Sequence, residues 1–192
     1  TINDYKTSVW SGGTTTELAI YPQNASYSER SFLWRISSAK VDLEKSTFTS
    51  LPGVRRIIMP LDGELKLHHV GQREVCLQPF EQDSFPGEWT TDSEGKVQDF
   101  NVMLKDDVES TLEHFMLKAG EELNIVEPGF NSGSIFLYCF RGELETIHSR
   151  KIVLQNGESL WGSFDREDEI FTLKIKANNV SDILLVRINH SK

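Results

Sequence analysis

Short apolar runs broken by Gly, Pro, Asn and Asp dominate the chain: FLWRIS (32–37), RRIIMPL (55–61), ELKLHHV (64–70), EVCLQPF (74–80), DFNVML (99–104), SIFLYCF (134–140), KIVLQ (151–155), IFTLKIK (170–176) and DILLVRI (182–188). Runs of this length, rich in β-branched and aromatic residues and bounded by turn formers, predict strands, and the fold class is all-β. DDVESTLEHFML (106–117) reads two ways. Val108, Leu112, Phe115 and Met116 sit at helical spacing, yet the segment runs into the turn AGEE as a strand would, so helix and strand both stay open.

The runs repeat. Pro52-Gly53 recurs as Pro128-Gly129, Gly63-Glu64-Leu65 as Gly142-Glu143-Leu144, Leu77-Gln78 as Leu154-Gln155, and Asp99 of DFNVML as Asp182 of DILLVR, at offsets of 76, 79, 77 and 83 residues. Four landmarks in one order at nearly constant spacing indicate two copies of a β-unit of about 80 residues, short for an immunoglobulin-type domain and suited to a small jelly roll. The expected architecture is a bicupin, two tandem jelly-roll barrels from an internal duplication, with residues 1–108 forming an N-terminal barrel and 109–192 a degenerate second one. A single large β-sandwich is the competing architecture. Cys76 and Cys139, without a Cys-x-x-Cys spacing and in stretches that read as buried strands, are expected to be reduced core residues.

Charge narrows the function. Twenty Lys and Arg against 29 Asp and Glu give −9 over 192 residues and a pI near 5.1. No basic run exceeds two residues, which opposes binding to nucleic acid or an anionic membrane surface. No apolar run approaches the roughly 18 residues of a membrane span, and no charged start leads into a signal core, so a cytoplasmic protein is expected. The Asn-x-Ser sequons at Asn24, Asn179 and Asn189 are then given no acceptor role.

Candidate chemistry lies where the first copy departs from an apolar strand. Alternation sets Asp99, Asn101 and Met103 on one face of their strand and Phe100, Val102 and Leu104 on the other; it sets Arg35, Ser37, Ala39 and Val41 opposite Trp34, Ile36 and Ser38. Arg55 and Arg56 must part to opposite faces. Arg35, one of these two arginines, Asp99 and Asn101 around a barrel lumen would offer a fork for a carboxylate and partners for an amide. The bland alternative is a structural Arg35–Asp99 ion pair with Asn101 satisfying a bend. Near the N-terminus, Trp10-Ser11-Gly12-Gly13-Thr14-Thr15-Thr16-Glu17 combines a Gly pair able to approach a ligand, three hydroxyls and a carboxylate; without a preceding strand or a Gly-Lys-Ser/Thr it is no phosphate loop, and a plain turn or bulge is its alternative. Metal ligation is not expected: His68 and His69 are adjacent and would diverge on a strand, His114, His148 and His190 are isolated, and Asp165-Arg166-Glu167-Asp168-Glu169 reads as a solvated turn.

Taken in order, Trp10…Gly12-Gly13-Thr14 with Glu17, Phe32-x-Trp34-Arg35-Ile36-Ser37-x-Ala39-x-Val41, Phe48-Thr49-x-x-Pro52-Gly53-x-x-Arg56, Leu61-x-Gly63, Phe85-x-Gly87 and Asp99-Phe100-Asn101-Val102-Met103 resemble the HutD/Ves family of bacterial proteins. The resemblance covers about residues 5–104. It implies a bicupin without metal or cofactor, associated with histidine utilisation, with a regulatory role through an intermediate such as N-formylglutamate. It also implies a pocket of Glu17, Arg35, Ser37, Arg56, Asp99 and Asn101 with Trp10 or Trp34 as an apolar wall; the family spacing selects Arg56 over Arg55. The leading expectation is a regulatory protein binding a small acidic metabolite. A metal-free isomerase or hydrolase with Glu17 or Asp99 as general base is the alternative, and a partner-binding protein a third; a homodimer paired through a sheet edge is compatible with each.

Overall fold

Alternation along the apolar runs is realised as eighteen strands, with no α-helix among the described residues. A computed structural model describes residues 4–105, 107–127, 132–147, 151–164 and 171–190. The chain divides into two units, one spanning 4–107 and the other running from 108 onward.

The first unit contains β1 (Lys6–Trp10), β2 (Gly13–Tyr21), β3 (Trp34–Val41), β4 (Lys45–Thr47), β5 (Val54–Asp62), β6 (Leu65–His69), β7 (Arg73–Leu77), β8 (Asp83–Pro86), β9 (Thr91–Glu94) and β10 (Gln98–Lys105). They form a six-stranded sheet, β1-β2-β3-β10-β5-β8, and a four-stranded sheet, β4-β9-β6-β7. Val41, Ile58, Leu65, Leu67, Leu77, Phe85 and Val97 pack together as one core cluster. The second unit contains β11 (Val108–Leu117), β12 (Glu122–Glu127), β13 (Gly133–Arg141), β14 (Glu143–Thr146), β15 (Val153–Gln155), β16 (Glu158–Phe164), β17 (Phe171–Ala177) and β18 (Ser181–His190), in sheets β11-β18-β13-β16 and β12-β17-β14-β15. The order β3-β10-β5-β8 thus returns as β11-β18-β13-β16, and β4-β9-β6-β7 as β12-β17-β14-β15. Each unit is an eight-stranded jelly roll with its own core, the first extended by the β1–β2 hairpin, and a single large sandwich is not what the chain builds.

Local devices repeat with the topology. The β10–β5 ladder shifts register between Gln98 and Asp99, leaving Leu61 as the extra residue; the β13–β18 ladder shifts between Cys139 and Arg141, leaving Phe140. Two residues on, Gly63 (φ +82°) and Gly142 (φ +99°) turn the chain into the second sheet with backbone angles that only glycine adopts freely. Aligning the copies on these bulges pairs Asp182 with Gln98 and Ile183 with Asp99, so the Asp99–Asp182 equivalence suggested by the sequence is one residue out. A one-residue slip exchanges the faces of a strand.

Two further readings change. Residues 108–117 form β11, fully laddered against β18, because ten cross-strand pairs outweigh the helical spacing of four apolar residues. Cys76 is exposed: on edge strand β7 the inward residue is Leu77. Cys139 does lie in the core of its unit, where burial pushes its thiol up to about 12. Pro128, Gly129, His148 and the acidic run 165–169 lie outside the described residues.

Candidate functional site

Three neighbouring strands of the larger sheet build a graded polar surface. Central strand β10 places Met103 between Arg35 of β3 and Arg56 of β5, Asn101 between Ser37 and Ile58, and Asp99 between Ala39 and Pro60. Alternate residues share a face, so these three rows point the same way and succeed one another every ~6–7 Å along the strand. Apart from Ile58 and Pro60, they line a cavity of about 300 Å³ with Trp10, Tyr27 and Phe48. On the opposite face Trp34, Ile36, Phe100, Val102 and Leu104 are fully buried. Trp34 is therefore not a wall of the cavity; it stacks on Tyr21 with ring centroids 5.7 Å apart. Arg56, not Arg55, faces inward.

The two guanidinium groups are held differently. Arg35 donates from Nε to Glu17 Oε2 (2.8 Å) and from Nη1 to Ser37 Oγ (3.1 Å), and lies 4.3 Å from the Tyr27 ring centroid. Its ionic partner is thus Glu17 on β2, and the Arg35–Asp99 structural pair does not form. Arg56 donates from Nη2 to the Thr49 carbonyl (2.7 Å) and faces the Phe48 ring, but its buried Nε has no hydrogen-bond partner. Burial lowers the Arg56 pKa, which marks a cation held out of water. Asn101 Oδ1 is likewise buried and unpartnered. Burial pushes the Asp99 carboxyl up to about 7, against a backbone hydrogen bond from Ala39 and the charge of Arg56. The cavity is therefore lined by a buried guanidinium and a buried amide that each keep one unpartnered atom, and by a carboxyl that changes charge near neutrality.

The glycine pair makes room for the chain's own Trp10 ring and Lys40 carbonyl. Strand β1 precedes it, against the sequence expectation, and pairs with β2 to carry Ser8, Trp10 and Thr15 to the cavity. A Cβ on Gly12 would lie 2.0 Å from the Trp10 ring, so the glycine makes room for that side chain. Sequence reasoning missed Tyr27 and Phe48 as ring partners of the arginines. Tyr27 sits in an irregular segment with no period to read, while Phe48 stood in the quoted motif without a role.

In the second unit the register-equivalent positions of Arg35, Ser37, Arg56, Asp99 and Asn101 are Thr111, Glu113, Ile135, Ile183 and Leu185. Ile135, Leu137, Ile183 and Leu185 belong to its apolar core, while Glu113 pairs with Arg187. Histidines elsewhere are partnered: His68 with Glu74, His69 with Thr91 and Asp83, His114 with Asp182. Among the described residues no group of three or more His, Cys, Asp or Glu is placed to hold a metal ion. A larger concavity of about 670 Å³, lined from β4, β6, β7 and β9, presents charges already paired, as in Lys45–Glu94 and His68–Glu74, and contains neither of the two unpartnered buried atoms.

The HutD family profile matches residues 2–185. Among solved structures, a conserved protein of unknown function from Pseudomonas aeruginosa, PA5104, superposes with a TM-score of 0.80 at 19% identity over 97% of this chain and 95% of that one. HutD from Pseudomonas fluorescens gives 0.75 at 18% identity over 99% and 96%. Bacillus subtilis oxalate decarboxylase, a cupin-fold protein, gives 0.65 at 7% identity over 99% and 76%. At these identities the likenesses establish the cupin fold and no more. Among curated proteins no sequence relative was found.

Proposed function

The chain belongs to the HutD family, and on that premise we propose that its first barrel binds a small acidic, amino-acid-like metabolite, N-formylglutamate being the lead candidate, without a metal or cofactor and in a regulatory role within histidine utilisation. The observation that carries this reading is the buried Arg56 guanidinium, one of its donors without a hydrogen-bond partner, lining a cavity of about 300 Å³. Leaving a buried donor unmet costs on the order of 1–3 kcal/mol, more for a charged group, and an anionic oxygen of a ligand removes that cost. Arg35, fixed by Glu17 and Ser37, supplies a second positive charge to the same row. Tyr27, Phe48 and Met103 provide the apolar surroundings that strengthen these contacts.

The test is a thermal-shift screen of the protein, with and without EDTA, against N-formylglutamate, glutamate, urocanate and histidine. A ligand at a hundred times its Kd stabilises by about 2.7 kcal/mol, a rise of roughly 5–10 °C for a chain of this size. The reading expects such a rise with N-formylglutamate, insensitive to EDTA and abolished by Arg56→Met in a folded protein. No shift with any acid, or a loss of stability on chelation, would contradict it. A second reading, a metal-free enzyme with Asp99 as general base, draws support from the carboxyl held at about 7. That reading expects turnover which Asp99→Asn removes while binding persists.

A further inference from the structure

We infer that β1 is the pairing surface for a second copy of this chain: two β1 strands join antiparallel about Ser8, and Lys6 of each copy comes to stand opposite Trp10 of the other at the edge of the first-barrel cavity. The pairing does not depend on the binding reading above; the effect of Lys6 on an acidic ligand rests on it.

A strand at the end of a sheet leaves alternate N–H and C=O groups unpaired, and proteins protect such edges with charges, prolines or short length. Among the described residues the other edge strands are protected in these ways. Charges stand on β7 (Arg73, Glu74), β11 (Glu109, Glu113) and β12 (Glu122, Glu127), and β8 is four residues with Asp83 and Pro86. Strands β4 and β15 are three residues each, and of β16 only Gly162 and Ser163 are exposed. Strand β1 differs. All five of its residues are exposed, Val9 by 83%, and after Lys6 it reads Thr-Ser-Val-Trp, with no charge, no proline and no bulge against β2.

The sequence of β1 fits its own copy in one register. With Ser8 opposite Ser8, Thr7 lies opposite Val9 and Lys6 opposite Trp10, so all five residues are paired and no charge meets its like. Odd residues then meet odd and even meet even, so whichever set of backbone groups faces away from β2 finds its complement. Sliding the copies by two residues leaves two of the five without a partner. Facing residues of an antiparallel pair point the same way, and Ser8 and Trp10 line the cavity of about 300 Å³, so alternation puts Lys6 on that face as well. Lys6 of the second copy thus meets the Trp10 ring as a cation against an aromatic face, and adds a positive charge at the rim of the cavity that Arg35 and Arg56 line. The contact is isologous, so each copy gives and receives the same residue, and two six-stranded sheets become one.

Five residues a side make a small interface, so sedimentation velocity of the wild-type chain should show a dimer fraction that rises between about 10 μM and about 1 mM. The double variant Thr7→Glu/Val9→Glu, which sets carboxylates opposite one another, should weaken the dimer at least about tenfold. Cross-linking checks the register, in a Cys76→Ser background that removes the exposed native thiol. Ser8→Cys brings two thiols face to face, with Cα atoms ~5 Å apart, and should give a covalent dimer on mild oxidation; Lys6→Cys leaves its two Cα atoms ~13 Å apart and should not. A wild-type monomer at the top of the concentration range, a dimer that the double variant retains, or equal cross-linking from both positions would overturn the pairing. N-Formylglutamate should raise the dimer fraction of the wild type and not of Lys6→Gln, since a residue supplied by the second copy couples binding to assembly. A thermal shift with this acid but no rise in dimer would overturn the contribution of Lys6 and leave the pairing in place. No thermal shift at all would overturn the binding reading and the role of Lys6 with it, while the pairing stands on the sedimentation and cross-linking results.

Discussion

Asp99 carries a proton balance that the solution behaviour must show. Its carboxyl ionises near 3.8 in the unfolded chain and at about 7 in the folded one, so between these values the native state holds the extra proton. The associated stability is fully present below pH 3.8 and is lost as pH rises to about 7, a cost on the order of 4 kcal/mol that then levels off. Asp99→Asn should therefore raise the melting temperature, with an advantage that is small near pH 4, grows to pH 7 and stays constant above it; thermal melts from pH 4 to 9 check this, and an advantage independent of pH would refute it. At this scale much was legible. Alternation alone grouped Arg35 with Ser37 on one strand and Asp99 with Asn101 on another, since a period of two needs no knowledge of the rest of the molecule; that the two pairs share one face came from the β3–β10 register. The same alternation put Trp34 on the other face, where the structure has it, against the wall suggested by resemblance. That Glu17 rather than Asp99 pairs with Arg35 was not legible, because it depends on a β2–β3 register that contains its own shift at Glu17/Ala19.

Elements repeat more faithfully than residues do. The bulge at Leu61 or Phe140, followed by a positive-φ glycine, returns in both copies and fixes where each chain passes from one sheet to the other. At Gly63 a Cβ would add a contact of 2.7 Å to the Lys96 carbonyl, whereas at Gly71, with a similar φ, it would meet nothing. Gly71→Ala should cost about 1 kcal/mol from the dihedral alone. Gly63→Ala should cost about 2–4 kcal/mol, strain and clash together. Urea unfolding of the two variants separates the terms, and equal losses would show that the close approach is unimportant. Apolar runs and glycines revealed the repeat from sequence, since they mark strands and turns directly. The bulges stayed hidden because an extra residue in a strand leaves composition unchanged; that is why Asp99 was matched with Asp182 one position out of register. The segment 108–117 shows the same limit, since its pairing with β18 is a long-range fact that no local window contains.

At the scale of the molecule, two jelly rolls of one topology carry different interiors. The positions that hold Arg56, Asp99 and Asn101 in the first hold Ile135, Ile183 and Leu185 in the second, all within its apolar core. The account therefore expects one acidic ligand per chain, and a titration reaching two equivalents would contradict that asymmetry. The most direct measurement is a crystal structure of the protein soaked with N-formylglutamate. Density is expected in the first barrel, in the cavity between Arg35, Arg56 and Asn101, with an acid group of the ligand against the Arg56 guanidinium. A ligand seated elsewhere, or a first barrel left empty at saturating concentration, would contradict it.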